Sequence, residues 1–104
     1  MKNIDIYVDI EEKSLKVGKY KLFLHPSLIK AELSTLPKEA KGKKVLELMY
    51  EETAENFLSS EFRNIQKFLE QKNLKNHFDA YPCKQESEYP IVAIEGNFNN
   101  YILK

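Results

Sequence analysis

Ile4, Ile6, Val8 and Ile10 alternate with Asn3, Asp5, Tyr7, Asp9 and Glu11. A period of two places one apolar and one polar face on a strand, so the chain is expected to open with a β-strand over about Ile4 to Ile10, paired antiparallel and with Ile6 and Val8 under helices. Glu12-Lys13-Ser14 reads as a turn into Leu15-Lys16-Val17. At Gly18 the alternation changes phase and Tyr20, Leu22 and Leu24 become the inward set, which predicts a bulge or a tight turn at the glycine. Antiparallel pairing would then set Lys16, Lys19 and Lys21 across from Asp5 and Asp9, a charged but locally neutral outer face.

The pattern changes after Pro26. Ser27 is a candidate cap for a short helix whose apolar face is Leu28, Ile29, Leu33 and Leu36, ended by Pro37. Lys38 to Lys44 reads as a solvated connector. Leu46, Met49, Tyr50, Thr53 and Phe57 recur at spacings of three and four, the signature of a buried helical stripe. Ser59-Ser60 then marks a break before a further helix with Phe62, Ile65, Phe68 and Leu69 inward. Asn76 to Tyr81 suits a short strand, Pro82 to Tyr89 a polar loop, and Ile91-Val92-Ala93-Ile94 an interior strand. Gly96-Asn97 turns the chain into Asn100-Tyr101-Ile102-Leu103. Strands, then helices, then strands predict an α+β fold: one domain over residues 1–104, with a single antiparallel sheet from the N- and C-terminal strands and two to three central helices packed on one face.

Composition supports a folded globule. The 104 residues are 42% hydrophobic and 31% charged, with apolar positions spread along the whole chain. The N-terminus lacks the charged-then-apolar layout of a secretory signal, and no apolar run approaches the ~20 residues of a membrane-spanning helix. A cytoplasmic protein is therefore expected, with no membrane partner. One cysteine, Cys83, cannot close an internal disulfide, in keeping with a reducing compartment.

Candidate chemistry is sparse. Cys83 with His77 or His25 offers the elements of a cysteine–histidine nucleophile, but no motif surrounds them. His77, Asp79 and Cys83 are metal-ligating types without the paired motifs of structural zinc sites. Gly42-Lys43-Lys44 resembles a fragment of a phosphate loop, yet the second glycine and the hydroxyl residue are missing, with Pro37 and Lys44 at those places. The expectation is therefore a non-enzyme with no cofactor, no metal and no small-molecule substrate.

Charge supplies the least ordinary feature. Sixteen basic and sixteen acidic residues cancel, but residues 1–44 hold ten lysines against six acids and residues 45–104 six basic residues against ten acids. Between Val45 and Phe62 lie Glu47, Glu51, Glu52, Glu55 and Glu61 and no basic residue. On a helix Glu47, Glu51 and Glu55 would line one face at i, i+4 and i+8, where like charges cost a few tenths of a kcal/mol per pair. Glutamate is also a good helix former, and a solvated face is the plain alternative. A stripe of Glu47, Glu51, Glu52 and Glu55 facing a basic partner points to a small protein-binding inhibitor. Its concrete form is an immunity protein or antitoxin that covers the active site of a nuclease toxin, because nucleases hold phosphate with basic surfaces. The alternatives are a structural or regulatory subunit acting through an apolar or edge-strand surface, and a nucleic-acid-binding module using the Lys-rich N-terminal half, although zero net charge argues against direct nucleic-acid contact.

Overall fold

The computed structural model describes residues 4–35, 43–83 and 89–104. Among them the chain forms β1 (Asp5–Asp9), β2 (Ser14–Val17), β3 (Tyr20–Phe23), β4 (Leu28–Thr35), β5 (Lys44–Tyr50), α1 (Glu55–Gln71), β6 (Phe78–Cys83), β7 (Ile91–Gly96) and β8 (Asn100–Leu103). Two four-stranded sheets result, ordered β3-β2-β1-β8 and β4-β5-β7-β6.

The first sheet grows from the period-two opening. Ile6 and Val8 are buried and pair with Val17 and Leu15 of β2, antiparallel, while the other edge of β1 takes β8 in parallel. The phase change at Gly18 is a tight turn: Val17 faces Tyr20 across two residues, and Gly18 has φ +59°, a conformation open to glycine at little cost. Lys16 stands opposite Tyr7 on one side and Lys21 on the other, rather than opposite an aspartate, and Lys21 instead reaches Glu12 at 2.5 Å.

The expected single sheet under two to three helices is overturned at residues 28–35 and 44–50. Both segments are strands, and the described residues contain one α-helix. Leu28, Ala31 and Leu33 face the core from β4, but a bulge at Ile29 breaks the alternation and leaves a spacing that imitates a helix. Leu46, Leu48 and Tyr50 face the core from β5, while Val45 is buried on the opposite face. A strand apolar on both faces shows no clean period of two, and its central position between β4 and β7 outweighs local helix propensity. The expected ends of these elements at Leu36 and Pro37, the connector of residues 38–42 and the Gly42 turn lie outside the described residues, as do residues 84–88 of the expected polar loop.

Helix α1 runs through the break expected at Ser59-Ser60. Glu61, Ile65, Phe68 and Leu69 are its buried positions, a stripe at i, i+4, i+7 and i+8. Asn73 ends it in the left-handed region at φ 57°, with its N–H donated to the Glu70 carbonyl and the Leu74 N–H to the Leu69 carbonyl, the paired bonds of a Schellman motif. The helix packs on β6 and β7, and its buried side chains join the inner faces of both sheets in one hydrophobic cluster. A small apolar void lined by Ile6, Val17, Leu46, Leu69, Phe78 and Phe98, among others, marks where these layers meet.

Candidate binding face on the second sheet

The inner face of the second sheet is apolar, so alternation sends the intervening residues to its outer face. Register then decides which of these are neighbours. Glu32 of β4 lies directly opposite Glu47 of β5, Glu47 opposite Ala93 of β7, and Ala93 opposite Tyr81 of β6. In the adjacent row Val45 faces Glu95, and Glu95 faces Asp79. Two like-charge pairs, Glu32 with Glu47 and Asp79 with Glu95, thus stand across neighbouring strands, an arrangement that costs a sheet stability.

An apolar floor lies between them. Val45, Ile91 and Ala93 are buried on this outer face although they stand apart from the main cluster, and Tyr81 is half-buried beside them. Burial first, then the negative charges of Glu95, Cys83, Glu47 and Asp79, pushes the Tyr81 phenol above its ordinary range. The acids are partly answered: Lys30 Nζ lies 2.6 Å from Glu32 Oε1, and Lys43 Nζ lies 3.5 Å from Glu95 Oε1.

The helical acidic stripe does not form. Glu47 is on β5 with its side chain on the outer sheet face, Glu51 and Glu52 are exposed in the connection after β5, and Glu55 is the first residue of α1. The Glu51 N–H donates to the Ser27 carbonyl at 2.7 Å, which ties this connection to the turn before β4. Glu52 reaches His25 at 3.8 Å. The Glu55 side chain lies outside the described residues. Glu32, Asp79 and Glu95, which join Glu47, are brought together only by strand register, and no local spacing in the sequence signals them.

A second polar group sits at one end of the helix packing. Glu61 is 5% exposed, and its Oε1 accepts hydrogen bonds from the His25 backbone N–H and the Tyr50 hydroxyl, each at 3.3 Å. Burial pushes the Glu61 carboxyl above the usual carboxylate range, with these bonds acting in the opposite direction. Burial, and then the Glu61 charge, likewise pushes the Tyr50 phenol up. His25 Nδ1 accepts from the Ser27 N–H at 3.1 Å, with the Ser27 hydroxyl 2.8 Å away. That geometry is a local side-chain-to-backbone turn at Pro26. It fixes the chain between β3 and β4 and holds His25 edge-on to Phe57, ring centroids 4.0 Å apart.

His77 precedes β6 and Cys83 ends it, so an extended strand of about 3.3 Å per residue holds them apart. The described residues contain no group of three metal-ligating side chains and no helix long and apolar enough to cross a membrane. Two lysines of the N-terminal half, Lys16 and Lys21, share a shallow depression on the first sheet with Tyr7, Asp9, Glu12 and Lys104. No family model, curated protein or solved structure matches the chain.

Proposed function

We propose that this protein works by binding another protein, and that the outer face of the second sheet meets a partner with a basic surface. The observation that carries this reading is the pair of like-charge cross-strand contacts, Glu32 with Glu47 and Asp79 with Glu95, on the same outer sheet face as the half-buried Tyr81. Like charges directly opposite each other cost a sheet stability, Lys30 and Lys43 offset part of that cost here, and a lysine or arginine of a partner adds further attraction. Tyr81 adds an aromatic ring over which a cation can sit. The concrete form of the reading is an inhibitor of the immunity-protein or antitoxin kind, covering the basic active-site surface with which a nuclease toxin holds phosphate.

Photo-crosslinking from a residue introduced at the exposed position 79 identifies the partner, which is expected to be basic. Association with it should be fast at low salt and slow steeply as salt screens the charges. The combined variant Glu32→Gln, Glu47→Gln, Asp79→Asn and Glu95→Gln should bind more weakly while unfolding in urea no more easily than the native chain. Equal association rates of native protein and variant at low salt would overturn the reading.

A further inference from the structure

An open sheet edge presents backbone donors and acceptors to any strand that reaches it, and folded proteins usually spoil such edges. Three of the four edges here carry a device of this kind. β6 contains Pro82, which has no N–H to offer. β4 is bulged at Ile29 and carries Lys30 and Glu32. β3 is four residues long and carries Lys21. β8 is as short as β3 but has no other device: Asn100–Leu103 contains no charge and no proline, and its register with β1 is unbroken. Its apolar residues are nonetheless exposed, Tyr101 by 37%, Ile102 by 43% and Leu103 by 40%.

Backbone direction shows what this edge offers. The Lys104 N–H donates to the Val8 carbonyl at 2.8 Å, and the Lys104 carbonyl accepts from the Ile10 N–H at 3.1 Å, so Lys104 turns its peptide groups toward β1. Alternation turns those of Ile102 the same way. Tyr101 and Leu103 therefore aim their N–H and C=O groups at the open side, where no strand of the described residues lies.

We infer that a second copy of this chain occupies that side, β8 antiparallel to β8 about a twofold axis at Ile102. Two outward-aimed residues separated by one inward-aimed residue are self-complementary in that arrangement. Tyr101 of each copy meets Leu103 of the other, and each such pair exchanges both of its backbone hydrogen bonds. Ile102 then faces its own symmetry mate in the close, non-hydrogen-bonded position, on the outer face that it shares with Tyr7. Charge agrees with this register. Lys104 falls opposite Asn100 of the other copy, whose neighbour on β1 is Asp5, and all three residues lie on the same outer face. Each ammonium is thereby drawn toward a carboxylate of the other copy, twice by symmetry. The two first sheets become one continuous sheet of twice the width. This interface lies on the first sheet and stands independently of the acidic face on the second.

Sedimentation equilibrium on the intact chain tests it. The mass is expected to rise with concentration from 12.2 kDa toward twice that value. Leu103→Pro removes an N–H aimed at the open side and leaves in place the ladder to β1, which uses Ile102 and Lys104. That variant should stay monomeric with an unchanged far-UV circular dichroism spectrum. Ile102→Lys sets two ammonium groups against each other at the axis on a solvent-facing site, and should weaken self-association about tenfold or more, with part of the loss recovered at high salt. It decides the matter if the proline variant fails to fold. A native chain that stays monomeric up to roughly 1 mM, the weak end of specific association, overturns the inference. So does a dimer of unchanged strength in Ile102→Lys.

Discussion

Glu61 shows how one residue type takes opposite roles within a single acidic stretch. Glu47, Glu51 and Glu52 remain at least partly exposed, whereas Glu61 is buried and bonded to Tyr50 and His25. Its carboxyl titrates above the ordinary value of 4.5 because burial penalises the charge. The folded chain thus holds this proton more tightly than the unfolded chain does. The contribution to stability is fully present below the unfolded value and is lost as pH rises through the raised folded value. Glu61→Gln keeps a carbonyl acceptor for both donors and removes the titration. The stability of Glu61→Gln relative to the native chain, measured by urea unfolding, should therefore be more favourable at pH 7 than at about pH 4. A difference independent of pH would show that the carboxyl is not penalised by its surroundings. Nothing in the sequence separates Glu61 from its neighbours except that it shares the helical stripe of Ile65, Phe68 and Leu69, which in hindsight is the available signal. Gly96 is similarly opaque: it reads as a turn residue but ends β7, where an added Cβ would lie 2.4 Å from Phe78 Cδ1 and 2.5 Å from the His77 carbonyl oxygen.

At the scale of elements, legibility follows how much of the pattern is local. β1 is half-buried and free of bulges, so its alternation is visible; β7 opens with a four-residue apolar run and reads as interior. β4 and β5 were hidden for different reasons. One carries a bulge that shifts its phase, the other is apolar on both faces, and Leu, Glu, Lys and Met all serve helices well. Because β5 is a strand, the glutamates that imitate a helical stripe disperse over a strand, a connection and a helix start. The helix itself is unevenly finished. Its C-terminus has a complete Schellman motif at Asn73, but Ala54 stands at the N-cap with φ −71° and ψ 126° and offers no side-chain acceptor. Those angles suit a capping serine. Ala54→Ser should raise stability by about 0.5 to 2 kcal/mol, read from the shift of the urea midpoint at constant slope. No gain would mean that the first-turn amides are already satisfied in another way.

The molecule as a whole was the least legible, since the division into two sheets, beyond the local misreading of β4 and β5, is set by long-range pairings that no window of sequence contains. The candidate binding face belongs to this class, because it is assembled from β4, β5, β6 and β7 by register, with Glu47 as the single member that the charge pattern picks out. The same long-range logic brings the first and last strands side by side, β1 and β8 running parallel from Asp5 with Asn100 to Val8 with Leu103. That placement has a mechanical meaning. Tension applied between the two chain ends pulls the start of β1 one way and the end of β8 the other, along the strand axis. The hydrogen bonds between them are then loaded together in shear instead of being opened one after another from an end. Stretched between its termini in a force spectrometer, the protein should give way in a single abrupt event. Pulled instead from Asp9 and Lys104, which lie at the same end of this strand pair, it should unzip at markedly lower force.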